Sequence, residues 1–346
     1  DEYNNTRKVK WTDIGEWEHP GKAVMKTLTD ITQYTEYVEK LNAMFDTEDD
    51  DDDIDVEEEP LNTYTKENFL ADVYISEKQY DTLEGLLRKK LNVILQGAPG
   101  VGKTYAAKRL AYSMMGVKDP ERVQLVQFHQ SYSYEDFVEG FRPSSTRMNF
   151  EIKKGAFYNF CKKASDDKEN EYFFIIDEIN RGNLSKIFGE LFMLIEADKR
   201  GNDIQLLYSS DKFSVPKNVY IIGMMNTADR SLAMIDYALR RRFAFYEMKP
   251  AFESEGFREY QYGLENDKFN KLIDCVISLN QKIADDESLG EGFCIGHSYF
   301  CDIEEIKENT LTDIVEFEII PLLKEYWFDE PSKVKEWTDR LRSAVK

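Results

Sequence analysis

The segment LNVILQGAPGVGKT, residues 91–104, contains the pattern that determines the fold of this 346-residue chain. Its first five residues form an apolar run of strand length, and Lys103–Met115 has apolar side chains at helical spacing. Between them, residues 97–104 match GxxxxGK(S/T) in the strand, loop and helix context that the pattern requires. The sequence therefore predicts a loop that binds phosphate groups at the amino terminus of a helix.

Several positions of this loop have a defined chemical role. The glycines let backbone N–H groups turn inward around the β- and γ-phosphates of a nucleotide. Lys103 supplies a positive charge to those phosphates, and the hydroxyl of Thr104 is a ligand for Mg²⁺. The residues predicted to bind the nucleotide here are Gly97, Ala98, Pro99, Gly100, Val101, Gly102, Lys103 and Thr104.

Four more apolar runs of strand length follow the loop. They span residues 123–126, 172–176, 219–224 and 243–245. Because these runs are apolar on both faces, they predict a parallel sheet that is covered by helices. The stretches 183–197 and 232–242 between them have helical spacing. The predicted fold class is therefore α/β, with a doubly wound nucleotide-binding domain over residues 61–250.

The pattern changes after Pro250. The strand-length runs stop, and amphipathic helical spacing takes over, for example over residues 269–283 and 311–326. We therefore expect a smaller, mainly helical domain over residues 251–346.

The amino-terminal segment, residues 1–60, differs in charge from the rest of the chain. The net charge of the chain is −21, and eleven of the fourteen residues from 46 to 59 are Asp or Glu. Such a run repels itself and cannot form a core, so it predicts a solvated linker. A chain this acidic is a poor non-specific binder of DNA, since phosphate contacts need Lys and Arg. The first residue is Asp, which suggests an excised fragment that lacks an upstream domain.

The sequence contains no signal for a membrane. There is no run of 18 or more apolar residues, and the amino terminus lacks the basic and then apolar pattern of a signal peptide. We expect a cytoplasmic protein without a membrane partner.

A pair of carboxylates follows the third apolar run. The run ends at Ile176 and leads into Asp177 and Glu178, the form of a strand end that supports phosphoryl transfer in P-loop proteins. Asp177 is predicted to hold Mg²⁺, and Glu178 to polarise the attacking water as general base. Paired carboxylates alone could also open a turn, so this prediction depends on the phosphate-binding loop.

The tetrapeptide Asn226-Thr227-Ala228-Asp229 is similar to the Asn-Lys-x-Asp box with which Ras-like GTPases bind guanine. It ends the first apolar run after the carboxylate pair, however, and in a P-loop sheet with an inserted strand that end lies beside the γ-phosphate. We therefore predict that Asn226 orients the attacking water and contacts a γ-phosphate oxygen, the role called sensor 1 in AAA+ ATPases. Asp229 is expected to cap the next helix or to brace a subunit contact. A simple turn before a helix is the alternative.

Three consecutive arginines, Arg240, Arg241 and Arg242, close the helix predicted after this tetrapeptide. Successive helical residues point about 100° apart because the helix has about 3.6 residues per turn, so the three side chains cannot all serve one site. An arginine at this place in AAA+ rings reaches the γ-phosphate of the neighbouring subunit. We predict this role for Arg241, with Arg242 as the second choice. The alternative is that these cations stabilise the carboxyl end of the helix.

Four segments together resemble the McrB family, the AAA+ motor subunits of McrBC modification-dependent restriction systems. They are GAPGVGKT (97–104), FFIIDEINRGNLSKIFGEL (173–191), VYIIGMMNTADRSLAMIDYALRRRF (219–243) and GFCIGHSYF (292–300). The resemblance covers residues 65–346. It implies a P-loop AAA+ sheet covered by helices and followed by a smaller helical domain.

The resemblance also implies an activity and partners. It implies a ring, a hexamer of this chain, that hydrolyses GTP with Mg²⁺ and assembles with a McrC-type endonuclease subunit. The family drives DNA translocation, so we expect DNA to be reached through the assembled complex and a missing or separate amino-terminal domain. Carried onto this sequence, the family roles fall on Lys103, Thr104, Asp177, Glu178, Asn226 and Asp229.

In one respect the sequence departs from ordinary AAA+ ATPases. No Gly-Ala-Arg sensor 2 is recognisable, and the segment GHSY (296–299) occupies its place, as in McrB relatives. His297 is either near the nucleotide or a packed core histidine. By analogy of fold, the base is expected between the segment around Tyr74 and Ile75 and residues 295–299, where backbone groups accept from guanine N1–H and N2–H₂.

Two other functions stay open at this point. One is an ATP-driven remodelling chaperone of the MoxR type, which acts on protein partners. The other is a nucleotide-switched scaffold without catalysis, against which the set of Lys103, Glu178 and Asn226 argues.

Overall fold

Five parallel strands form the central sheet of the computed structural model, which describes residues 62–143, 150–228, 237–303 and 305–346. In chain order the strands are β1 (Asn92–Gly97), β2 (Val123–Gln127), β3 (Glu139–Pro143), β4 (Phe150–Lys154), β5 (Tyr172–Asp177), β6 (Ile204–Gln205), β7 (Lys212–Phe213), β8 (Val219–Asn226) and β9 (Ala244–Met248). The central sheet has the order β2-β5-β8-β1-β9. Its strands coincide with the five apolar runs, so the predicted parallel α/β sheet is confirmed.

The strand register brings three predicted site segments to one edge of the sheet. Gly97 at the end of β1 pairs with Asn226 at the end of β8. On the other side of β8, Ile176 of β5 pairs with Gly223, so Asp177 follows at the same edge. In parallel strands the carboxyl ends share one edge, which is where ligands bind in open α/β sheets.

Alternating residues of the strands fill two separate cores. Val93 and Leu95 of β1 belong to one buried cluster, and Ile94 between them belongs to the other. The same alternation holds in β5, where Phe173 and Phe174 face opposite sides. A strand with apolar residues on both faces is therefore covered on both faces, as the sequence predicts.

Helices cover the sheet and form the region after it. They are α1 (Lys66–Asp72), α2 (Glu77–Lys90), α3 (Lys103–Met115), α4 (Tyr134–Phe137), α5 (Ala156–Asp166), α6 (Leu184–Phe188), α7 (Leu191–Leu194), α8 (Tyr237–Arg242), α9 (Glu255–Gly263), α10 (Asp267–Ala284), α11 (Thr310–Asp313), α12 (Ile320–Tyr326) and α13 (Pro331–Ala344). Within residues 250–303 and 305–346, every regular element is helical, as predicted. We call this carboxyl-terminal region the lid.

Two predicted helices differ from the structure. The stretch 183–197 is broken into α6 and α7, because Gly189 has a φ of 51° and interrupts the helix between them. The stretch 311–326 contains a π-helical turn, Ile314–Ile319, between α11 and α12. Pro321 has no N–H to donate to the carbonyl of Phe317, which removes one α-helical hydrogen bond at that point.

The sequence patterns do not predict two small hairpins, β3-β4 and β6-β7. A buried carboxylate joins them: Glu139 of β3 accepts hydrogen bonds from the backbone N–H groups of Tyr208 and Ser209, at 3.0 and 2.9 Å. The same carboxylate binds Lys154 of β4 at 2.7 Å. β6 and β7 have two residues each, too few to show a period of two, and β3 contains Gly140 and Pro143, which are unusual within a strand.

No helix in the described part of the chain is long and apolar enough to cross a membrane.

Candidate functional site

The phosphate-binding loop joins β1 to α3 at the carboxyl edge of the sheet. Gly100 and Gly102 have φ values of 76° and 75°, in the left-handed region that favours glycine. The ammonium group of Lys103 donates to the carbonyls of Gly97 and Ala98, at 2.9 and 2.8 Å, and the residue is buried. The loop therefore surrounds the ammonium group of Lys103 at the amino terminus of α3.

The two predicted catalytic side chains are in contact. The amide of Asn226 donates to one carboxylate oxygen of Glu178 at 2.9 Å. Glu178 is 9% exposed and has a φ of 50°, so it is held in the left-handed region just past the end of β5. Its backbone N–H donates to the carboxylate of Asp177 at 3.0 Å. The structure thus brings Asp177, Glu178 and Asn226 together.

Arg181 also binds this carboxylate. Its Nε donates to the second oxygen of Glu178 at 3.0 Å, one helical turn along the chain. Sequence reasoning missed Arg181, although its position three residues after Glu178 is the spacing at which side chains in a helical turn meet.

Thr227 links the end of β8 to two other elements. Its backbone N–H donates to the carbonyl of Gly97 at 3.1 Å, and its hydroxyl donates to the carbonyl of Gly292 in the lid at 3.1 Å. Adjacent residues of the predicted sensor segment therefore contact the carboxylate pair and the lid. Asp229 lies outside the described residues.

The three arginines have different surroundings. The side chain of Arg241 is 79% exposed, and its guanidinium lies 3.9 Å from Glu196. The side chain of Arg242 is 15% exposed; it binds Glu196 at 2.9 Å and donates to the carbonyl of Phe192 at 2.6 Å. Arg240 is exposed. Arg242, the second choice for an arginine that acts on a neighbouring subunit, is thus held within its own chain.

A pocket of about 270 Å³ lies beside the phosphate-binding loop. Tyr74 and Ile75 line it, together with His297 and Ser298 of the lid. The structure therefore brings together the two segments between which we predict the base. Other residues lining this pocket include Val101, Gly102, Tyr105, Met248, Ala251 and Cys301.

His297 is buried against this pocket in a neutral form. Its Nδ1 accepts a hydrogen bond from the backbone N–H of Ala251 at 3.1 Å. Burial lowers the pKa of its imidazole to about 4, because the charged form is poorly solvated there. The rings of Tyr74, Phe252 and Phe257 surround it. His297 is packed among aromatic side chains, and it also borders the pocket in which we predict the base.

The lid contacts the phosphate-binding loop through its backbone. The N–H of Gly296 donates to the carbonyl of Pro99 at 3.2 Å, and the N–H of Ser298 donates to the carbonyl of Gly100 at 2.9 Å. A Cβ added to Gly296 would lie 1.9 Å from the carbonyl carbon of Gly100. Only glycine allows this approach.

The donors predicted for Mg²⁺ fit that ion. Thr104 is exposed in the first turn of α3, and Asp177 is half-buried at the end of β5. Mg²⁺ keeps several waters and takes one or two protein oxygens together with phosphate oxygens. Across the described ranges there is no cluster of three His, Cys, Asp or Glu residues that could hold a metal by itself. One hydroxyl and one carboxylate are therefore a suitable set only when phosphate is bound.

The strand order, the phosphate-binding loop and the Asp177-Glu178 strand end define an AAA domain of the P-loop class. A family model of the AAA domain (dynein-related subfamily) matches residues 92–243, and one described as "McrB, alpha-helical lid domain" matches residues 271–335. The chain belongs to the McrB family.

Relatives support this membership. The chain is 50% identical over 291 residues to the "Type IV methyl-directed restriction enzyme EcoKMcrB subunit" of Escherichia coli K12, which covers 81% of this chain and 63% of that protein. It is 25% identical over 247 residues to the "Type II restriction enzyme BsuMI component YdiS" of Bacillus subtilis 168, covering 58% of this chain and 72% of that protein. The chain thus spans less than two thirds of the Escherichia coli relative. A remodelling chaperone of the MoxR type is not favoured.

A solved crystal structure from Cytophaga hutchinsonii is 15% identical, with a TM-score of 0.36, over 64% of this chain and 63% of that one. This likeness is too distant to support a conclusion.

Proposed function

We propose that this chain is the GTP-hydrolysing AAA+ motor subunit of a McrBC-type modification-dependent restriction system. The observation that carries the proposal is the contact between Asn226 and Glu178 at the carboxyl edge of the sheet, 2.9 Å from amide to carboxylate. This pairing puts an amide and a base at the end of two adjacent strands, next to the phosphate-binding loop. A scaffold that only binds a nucleotide does not need it.

The contacts of the side chains support the roles proposed for them. Glu178 is the general base that takes a proton from the attacking water, and Asn226 orients that water against the γ-phosphate. Asn226 and Arg181 donate to the two carboxylate oxygens of Glu178. A carboxylate has about four lone-pair positions, so Glu178 can still accept a proton from the attacking water while these donors are bound.

Lys103 stabilises negative charge on the phosphates. Its ammonium group now binds the carbonyls of Gly97 and Ala98 and would exchange them for phosphate oxygens. Mg²⁺, when bound through Thr104 and Asp177, neutralises charge that develops on the phosphates. Because phosphoryl transfer needs little covalent chemistry from the protein, these contacts act by positioning and electrostatics.

Assembly completes the site. Arg241 extends into solvent at the end of α8, and we propose that it reaches the nucleotide of the next subunit in a hexameric ring. Arg242 holds that helix against Glu196 and Phe192. The proposed subunit is divided into an amino-terminal segment (1–60), a large domain (61–250) and a small domain (251–346).

The partners are proposed from the relatives and from charge. The Escherichia coli relative is described as a subunit of a restriction enzyme, and we propose a McrC-type endonuclease subunit as the partner that cleaves DNA. DNA is reached through the assembled complex, because this chain has a net charge of −21. A cytoplasmic location stays a prediction.

The test measures GTP and ATP hydrolysis with and without a McrC-type partner, together with particle mass by light scattering. We expect GTP hydrolysis that the partner stimulates, and a ring that forms with nucleotide. Equal rates with GTP and ATP would remove the guanine assignment. Monomers under every nucleotide condition would remove the role of Arg241.

A further inference from the structure

The pocket that Tyr74 and His297 line has an uneven distribution of hydrogen-bonding groups. Four carboxylate side chains line it, whereas Lys249 is its one basic lining residue. Lys249 is already paired with Glu291 at 2.9 Å. The carboxylates are those of Asp72, Glu247, Glu253 and Asp302. Asp72 is already bound by Tyr64 and Arg109. The carboxylates of Glu247, Glu253 and Asp302 therefore favour a base that presents N–H groups to them.

His297 differs from these carboxylates, because it presents a hydrogen-bond donor. The N–H of Ala251 donates to Nδ1, which requires the lone pair of that nitrogen. A neutral imidazole has one proton, so the proton is on Nε2. A Cβ on Gly102 would lie 3.8 Å from Nε2, which places this nitrogen next to the phosphate-binding loop. Within the described part of the chain, no protein group accepts from Nε2.

Guanine and adenine differ at the ring position that such a donor distinguishes. Guanine has an acceptor, O6, where adenine has an amino group, and guanine alone adds donors at N1 and N2. The donor on His297 and the carboxylate acceptors around it match the hydrogen-bonding groups of guanine. Against adenine, two donors would face each other, and a buried N–H would lose its partner.

We propose that the Nε2–H of His297 donates a hydrogen bond to O6 of guanine and is a determinant of guanine specificity. This inference rests on the proposed function as a GTP site. The Ala251 N–H has a positioning role, since it fixes which nitrogen carries the proton. The aromatic rings of Tyr74, Phe252 and Phe257 hold the imidazole in place.

The experiment compares nucleotides that differ in the groups on the base. Equilibrium affinities of the full chain with Mg²⁺ are measured for GTP, ITP, 7-deaza-GTP and the triphosphate of 2,6-diaminopurine riboside, which has an amino group in place of O6 and no proton on N1. The proteins are wild type, His297→Leu, His297→Phe and the control His129→Leu. His129 is exposed and does not line the pocket, so the control makes the same chemical change elsewhere.

In wild type, GTP and ITP are expected to bind far better than the diaminopurine nucleotide. His297→Leu should reduce the ratio of GTP to diaminopurine affinity by about tenfold or more. The substitution removes a hydrogen bond to GTP and also removes the donor that is left unsatisfied against the diaminopurine nucleotide. His129→Leu should leave the ratio unchanged. Thermal unfolding identifies variants that fold, and His297→Phe supplies a second apolar side chain that fills the aromatic cluster.

Three results separate the possibilities. A wild type without guanine preference overturns the proposed GTP function itself. A wild type that prefers guanine, with folded His297 variants that keep the same ratio, overturns the role of His297 alone. If His297→Leu abolishes only the difference between GTP and 7-deaza-GTP, the contact is to N7, and the assignment to O6 is wrong.

Discussion

The two walls of the candidate nucleotide site are built in different ways. At the sheet edge, the groups that face the site are side chains, namely Lys103, Glu178 and Asn226. At the lid, the hydrogen bonds to the phosphate-binding loop come from backbone N–H groups of Gly296 and Ser298, and the side chain of His297 lies beside Gly102. Substituting one residue of the sheet-edge wall removes a charged or polar group that acts on the nucleotide. A substitution in the lid wall instead changes how the lid backbone packs against the phosphate-binding loop. Substitutions in the two walls should therefore have different signatures.

The arginines at the end of α8 test whether the sheet-edge wall is complete within one chain. Arg241→Ala should lower GTP hydrolysis of the assembled ring by about 10³-fold or more without changing stability, because an arginine that acts in trans supports the transition state. The measurement is steady-state hydrolysis together with thermal unfolding.

Arg242→Ala is the matched control for this prediction. It should lower the free energy of unfolding by about 1.5–3 kcal/mol, because it removes charged hydrogen bonds to Glu196 and Phe192. If Arg242→Ala were stable and Arg241→Ala unfolded, the assignment of the two arginines would be reversed.

Glu178→Gln should abolish the chemistry of the sheet-edge wall and keep its fit. We expect hydrolysis to fall by about 10²–10⁴-fold, because a general base contributes that much, while GTP affinity changes little. Single-turnover hydrolysis and equilibrium binding measure the two quantities. Glu190→Gln is the control, since Glu190 binds Tyr134 and the hairpin backbone at Leu207. Equal losses in both variants would contradict the role of Glu178 as base.

Gly296→Ala should break the lid wall. The added methyl group would lie 1.9 Å from a backbone atom of Gly100, so the lid or the phosphate-binding loop must move. Overpacking of this kind costs about 1–3 kcal/mol, so we expect nucleotide affinity to fall by about 5- to 150-fold. Isothermal calorimetry measures the affinity. Gly85→Ala is the control, because its added methyl group meets no atom within 4 Å. Unchanged affinity in Gly296→Ala would show that the lid does not shape the loop.

The difference between side-chain and backbone contacts also explains how much of the site could be predicted from the sequence. Lys103, Asp177, Glu178 and Asn226 are predictable because each has a residue type and a strand-end position that its chemistry requires. The five strands are predictable because runs such as 172–176 are apolar on both faces. The backbone contacts of Gly296 and Ser298 cannot be predicted in this way, since every residue except proline has a backbone N–H group. The tautomer of His297 depends on Ala251, which is 46 residues away in the chain.

Thr227 contacts both walls, and its substitution tests how closely they are coupled. Thr227→Val keeps the shape of the side chain and removes the hydroxyl that donates to Gly292 at 3.1 Å. We expect the free energy of unfolding to fall by about 0.5–1.5 kcal/mol, the net value of one hydrogen bond. GTP affinity should fall by less than in Gly296→Ala, because the backbone contacts of the lid are kept.

Thr82→Val is the matched control for Thr227→Val. The hydroxyl of Thr82 also donates to a carbonyl, that of Lys78 at 2.8 Å, but it is exposed and remote from the lid contact. Denaturant unfolding and hydrogen exchange of the lid measure the two variants. Faster exchange in the lid of Thr227→Val alone would support coupling through this hydroxyl. A loss of hydrolysis as large as that in Glu178→Gln would instead assign Thr227 to the chemistry, and the separation of the two walls would be wrong.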